Sequence, residues 1–366
     1  MEKFKARGQY EKQLSSEKKS EFVARVRKII NADQLTELAG VVDVLSSEAA
    51  NDGMVKYYIL VDRLDERWVD VSIRFKLIRA LIESLRTFRK IRNLKILVSL
   101  RSDILERVVQ ETGDLTFQRE KFEESFIRLR WDRNSLRDLV QRRIKLMFRR
   151  QYTNDDILFE DIFTSKVGNQ DPFDYLIERT LMRPRDLISF INECIKASEG
   201  KYEVSPQTIR NAEKEFSRIR KQALEYEWLS TFPTLPALFK LITDAKKVSS
   251  TVSELSTSSL VDELILSIAS GTKYDYDPVF ICANKCVNEK GTDSSDFVKE
   301  ALSTLYRIGA IGLKLRPDER FTYSHTDFPV IATDLIAENV RVRVHPMLWR
   351  SLNLIEHNIE NSDGRR

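Results

Sequence analysis

Three carboxylates close an apolar run in "VKYYILVDRLDERW": Asp62, then Asp65 and Glu66. Ile59-Leu60-Val61 reads as a buried strand, and a strand does not usually end on three acids unless something cationic sits there. Magnesium–nucleotide chemistry suits this arrangement. One aspartate holds Mg2+ through the water shell of the ion, and a neighbouring carboxylate orients and deprotonates the attacking water. Taken alone, an apolar strand ending in Asp is a weak signal, because many α/β proteins end strands that way.

The elements around these acids sharpen the reading. In "VSIRFKLIRALIESLRTFRK", Val71, Phe75, Ile78, Ile82 and Leu85 recur at steps of three and four, a helix burying one stripe. "LKILVSLRSDI" then gives a second buried strand over 94–100. Strand, helix, strand is a βαβ unit, so the two strands are expected to be parallel, with their C-terminal ends on one rim of the sheet. Open α/β sheets bind ligands on that rim. Asp62, Asp65, Glu66, Arg101 and Ser102 converge there. "SFIRLRW" is a third candidate strand, and "DRNSLRDLVQRRIKLMFRR" a basic amphipathic helix. Upstream, Val23, Val26, Ile30, Leu35 and Leu38 follow a helical period. Helices dominate to about residue 225, with Pro184 opening one of them in "MRPRDLI". "VSSTVSELSTSS" at 248–259 reads as part cap, part linker. Three helices then precede "IGLKLRPDERFTYSHT", which alternates about a turn as a β-hairpin does; together they describe a winged helix.

"YYILVDRLDERW" resembles the Walker B segment of AAA-related signalling ATPases, the STAND and KAP-like groups. The resemblance implies that Asp62 is the magnesium acid and that Asp65 or Glu66 activates water; Arg63 departs from the pattern of AAA enzymes proper, which leaves the choice of base open. "KILVSLRSDI" stands where those proteins have their sensor 1 strand, so Ser99, Arg101 or Ser102 would read the γ-phosphate. "MRPRDLI" is similar to the Pro-Arg sensor 2 element of their lid domain, where Arg185, with Arg183 as second choice, would reach the phosphates of ATP. The resemblance covers about residues 55–225. More narrowly, the chain resembles bacterial P-loop ATPases with a winged-helix tail, some associated with DNA repair or phage defence, and "VRVHPMLWRSLNL" is similar to the end of such tails.

One part of that pattern is missing. A phosphate-cradling loop needs Gly-x-x-x-x-Gly-Lys-Ser/Thr, whose amides wrap the phosphates while the lysine reaches the β and γ oxygens. None of the eleven glycines has that spacing. Two explanations stand: the chain lacks an N-terminal portion that the family has, or it is a degenerate ATPase. The intact acids and arginines favour the first. Mg2+ and ATP are therefore expected only when such a segment is supplied.

Composition narrows the remaining classes. No apolar run approaches the roughly 18 residues of a membrane span, and the polar start lacks a signal-peptide core, so a cytoplasmic protein with no membrane partner is expected. Cys194, Cys282 and Cys286 are too few for a disulfide scaffold and read as buried thiols. His325 and His345 have no recognisable nucleophile, which sets hydrolase triads aside. Net charge is only +4, but basic residues outnumber acidic ones eleven to five between Arg119 and Arg150; a solvated helix face explains this more simply than nucleic acid. Trp131, Trp228 and Trp349 read as core anchors. The third tail helix begins with acids, which argues against base readout, while Lys314, Arg316, Arg320, Arg341 and Arg343 could meet phosphates. Protein docking is slightly preferred over DNA for the tail.

The expected architecture is α/β: a partial P-loop ATPase sheet over 1–150, a helical lid over 151–255 and a winged helix over 256–366. The expected function is a nucleotide-dependent switch that self-associates or joins other subunits. The alternative is a nucleotide-free scaffold or a DNA-binding regulator.

Overall fold

The computed structural model describes residues 56–354 apart from 65, 67–68, 90, 92, 102–103, 106, 109–123, 150–156, 258, 290 and 292. The helical period between Val23 and Leu38 lies outside the described residues, as do Asp65 and Ser102. The chain is a mixed α/β protein, mostly helical, divided into two compact units at 125/126.

In the first unit, β1 (Tyr57–Val61) and β2 (Leu94–Val98) pair in parallel, from Tyr57 opposite Leu94 to Val61 opposite Val98. The crossover helix α1 (Val71–Phe88) buries Phe75, Ile78 and Ile82, the stripe expected from their spacing. Two expectations need correction. β2 ends at Val98, not Leu100, and β1 is not buried: Ile59 is 42% and Leu60 73% exposed. Parallel strands normally have both faces covered. Among the described residues, however, β1 pairs with β2 alone.

The second unit begins with a further correction. "SFIRLRW" forms no strand; Ile127 and Leu129 are exposed, and so is Trp131. Helices follow: α2 (Arg133–Arg149), α3 (Phe159–Ile162), α4 (Pro172–Glu178), α5 (Pro184–Ala197), α6 (Pro206–Trp228) and α7 (Leu235–Asp244). A proline opens α4, α5 and α6, where its missing N–H costs nothing. Asp171 and Ser205 cap α4 and α6 by accepting from backbone amides. Phe190 stacks on Phe216 at 4.3 Å and fixes α5 against α6. Leu136, Val140 and Ile144 of the basic helix α2 join this core, so α2 groups with the helical region.

The same buried cluster continues without a break to Leu354. The serine-rich stretch is not a linker: it forms β3 (Ser249–Thr251) and α8 (Val252–Ser256), with Thr251 and Glu254 making a capping box. After α9 (Ser259–Ala269), α10 (Pro278–Asn288) and α11 (Ser294–Arg307) come β4 (Ile311–Lys314) and β5 (Arg341–Val344). The antiparallel sheet has the order β3-β5-β4. The expected hairpin after β4 is reduced to a single bridge, Leu313 with Thr322, on one edge of β4, while β5 pairs along the other edge. Cys194 is buried, whereas Cys282 and Cys286 are only half-buried. Among the described residues, no helix is long and apolar enough to cross a membrane.

Candidate functional site

Asp62 follows the last residue of β1, and Ser99 follows the last of β2, so the parallel register brings them to one edge. The Ser99 amide donates to the Val61 carbonyl at 2.8 Å, extending the ladder to the level of Asp62. Arg101 lies two residues further along the same edge and is exposed. The Asp62 carboxylate is exposed, yet its pKa is lowered, first by a hydrogen bond from the Arg63 amide and then by one from the Ser99 side chain. Arg63 makes the first of these possible by adopting a left-handed backbone, φ 63°, uncommon for a residue with a side chain. The chain leaves the strand in a tight turn, with the Glu66 amide donating to the Arg63 carbonyl at 3.2 Å. Glu66 is exposed, 3.6 Å from Arg63 Nε.

Among the described residues, no group of three or more His, Cys, Asp or Glu side chains could hold a metal ion. That is no dedicated cage. Mg2+ keeps most of its waters, however, and needs only one or two carboxylates beside substrate phosphates. Asp62, ionised and solvent-facing, fits that requirement.

Arg183 and Arg185 belong to the second unit, at the start of α5. Met182 has φ 54°, and its amide donates to Thr180 Oγ1, while the buried Asp186 accepts from the Leu181 amide. This turn sets Arg183 at the N-cap, although its side chain makes no cap. Arg183 Nη1 instead meets both oxygens of Glu227, at 2.8 and 3.1 Å. Arg185 is 76% exposed and only 4.0 Å from the same carboxylate. Arg185 is thus the more exposed and the more loosely held of the two. The sequence reading overlooked Glu227 and Arg220. Both lie on one face of α6, seven residues apart, but that spacing is ordinary for a helix and carries no signal until α5 packs beside it.

The tail cations fare unequally. Arg316 pairs with Glu319 and Arg320 with Asp327. Arg343 lies over the rings of Phe321 and Trp349. Lys314 and Arg341 are cross-strand partners. Asp293 caps α11 in a capping box with Asp296, which accounts for the acids there as structural. His325 and His345 lie together with Tyr323, ring centroids 5.2–5.7 Å apart, and His345 Nδ1 accepts from the Met347 amide. Both histidines have lowered pKa values, chiefly through burial.

Comparison with known proteins places one part of this arrangement. A family described as the FunZ-associated C-terminal helical domain matches residues 134–225, nearly the span of α2 through α6. The "Putative transposon gamma-delta 80.3 kDa protein" of Escherichia coli (strain K12) is 23% identical over 306 residues, 82% of this chain and 40% of that protein. "Allergen Alt a 2" of Alternaria alternata is 27% identical over 114 residues, 31% of this chain and 60% of that protein. The chain thus spans well under two thirds of the E. coli relative's length and somewhat under two thirds of the other's. No solved structure matches it.

Proposed function

We propose that this chain is the Walker B-bearing part of a P-loop ATPase that works as a nucleotide-dependent switch. The observation that carries the reading is Asp62: an ionised aspartate at the carboxyl edge of a parallel strand, hydrogen-bonded by Arg63 and Ser99, with Arg101 on the same edge. Asp62 would hold Mg2+ through its waters, and Mg2+ would offset phosphate charge. Glu66 or Asp65 would orient the attacking water. Ser99, Arg101 or Ser102 would sense the γ-phosphate. Arg185 is the phosphate-binding side chain of the second unit, suited to it by the planar fork of guanidinium.

The missing phosphate loop is supplied, in this reading, by sequence upstream. The sheet order supports that: among the described residues β1 pairs with β2 alone, so its other edge can take a further strand. The greater length of the E. coli relative is consistent with it. Extended upstream to include such a loop, the protein is expected to hydrolyse ATP, and Asp62→Asn to abolish hydrolysis. Unchanged turnover in that variant would refute the assignment.

A second reading, a winged-helix module that docks protein or DNA, is favoured by the β3-β5-β4 sheet behind α11. The name of the E. coli relative, a transposon protein, directs the test toward DNA. The two readings are compatible: a tail of this kind could deliver the output of the switch to another subunit or to DNA.

A further inference from the structure

The start of α5 holds more positive charge than the acids around it balance. Arg183, Arg185 and Arg220 approach one carboxylate, Glu227, in the last turn of α6. The second acid is Asp186, which accepts from the Leu181 amide and faces Arg220 Nε at 3.4 Å. Arg220 is 4% exposed, and its Nε and Nη2 make no hydrogen bond. Its Nη2 stands 3.5 Å from Glu227 Oε2, the same oxygen that Arg185 approaches at 4.0 Å. Two carboxylates leave these three guanidinium groups one positive charge in excess, and leave Nε and Nη2 of Arg220 without a hydrogen bond. An oxyanion with more oxygens and more charge would serve them better.

We propose that Glu227 is an internal competitor, its carboxylate standing where a phosphoryl group binds among Arg183, Arg185 and Arg220, so that an incoming polyphosphate must displace it. This rests on the reading of Arg185 as a phosphate ligand. Arg183 is the residue the competitor restrains most, since one of its nitrogens meets both Glu227 oxygens. Arg185, exposed and loosely held, is placed to meet the anion first. Binding then exchanges a singly charged partner for a multiply charged one, and frees the end of α6 from the start of α5. Glu227 would so set the concentration at which the second unit responds.

The test uses residues 1–366 and inorganic tripolyphosphate, with binding measured by calorimetry at low salt. Glu227→Gln is expected to bind the anion about tenfold tighter than wild type, the effect of one additional charge-assisted hydrogen bond. Because Arg220 loses a counter-charge in that variant, Glu227→Asp serves as the second variant. It keeps the charge but is one methylene shorter, and a smaller gain in the same direction is expected. Thermal melts establish that both are folded. Affinity unchanged or lower in both folded variants, or no binding by either, would overturn the proposal. Arg185→Ala in the Glu227→Gln background separates it from the underlying reading: loss of the gain supports both, whereas a gain that persists keeps the competitor and removes Arg185 as the phosphate ligand.

Discussion

Arg63 and the two buried histidines show how single residues carry cost in this fold. A left-handed arginine two residues after a strand is unfavourable by about 1 kcal/mol or more, and here it turns an amide toward Asp62. His325 and His345 are held neutral by burial, His325 down to about 4 against an ordinary 6.5. The positive groups nearest them, Arg183 for His325 and Arg179, Arg220 and Arg343 for His345, act in the same direction, while Asp327 opposes weakly. In the unfolded chain both histidines take up protons near pH 6.5, whereas the folded state does not. Stability is therefore full above pH 6.5 and falls as the pH drops toward 4. For His325 alone the loss between pH 8 and pH 5 is expected to be roughly 2 kcal/mol. Urea unfolding at the two pH values measures it, and His325→Gln is expected to flatten the dependence by about that amount.

Elements were legible where spacing or a special residue dictated them. The stripe of α1 and the proline that opens α5 both follow from local chemistry. The parallel pairing of β1 and β2 followed from the intervening helix. Burial was not legible, because the apolar run YYILV is the same whether or not other strands lie beside it. The pairing of β4 with β5 was also hidden: it joins strands well apart in the chain, while the nearer turn offered a plausible hairpin. Nor did local pattern point to Glu227, whose importance depends on helices packed side by side. The junction of α11 and β4 shows how strict such an element can be. Gly309, φ 82°, donates to the Tyr306 carbonyl and Ala310 to that of Leu305, the double bond of a Schellman ending. A Cβ on Gly309 would stand 2.8 Å from Leu181 Cδ2. Gly309→Ala is expected to destabilise by roughly 2–4 kcal/mol, from left-handed strain and overpacking together. Gly200→Ala, at φ 76° with nothing within 4 Å, is expected to lose only the backbone part. Urea midpoints of the two variants decide it; equal losses would show that crowding against Leu181 adds nothing.

At the scale of the whole molecule, the two units carry separable expectations. In the second, Lys314 and Arg341 are better placed for phosphates than Arg316 or Arg320, each of which already meets an acid. If the tail binds DNA, alanine at both positions is expected to lessen the salt slope by roughly 0.9 for each phosphate no longer neutralised. No binding at about 50 mM salt would instead favour protein docking. For the first unit, the proposed nucleotide site would set the carboxylates of Asp62 and Glu66 against a polyanionic ligand. Mg2+ and Arg101 would offset only part of that repulsion. A phosphate loop contributes a lysine and several amide donors, each worth roughly 1.5–3 kcal/mol as charge-assisted bonds. Three or four of them amount to some 5–10 kcal/mol, roughly the difference between a micromolar site and one beyond the millimolar range. Calorimetry of Mg-ATP with residues 1–366, and with the chain extended upstream through a loop-bearing segment, measures that difference directly. The expected result is no tight binding by residues 1–366 and micromolar binding by the extended protein. Micromolar Mg-ATP binding by residues 1–366 alone, or none by the extended protein, would contradict it.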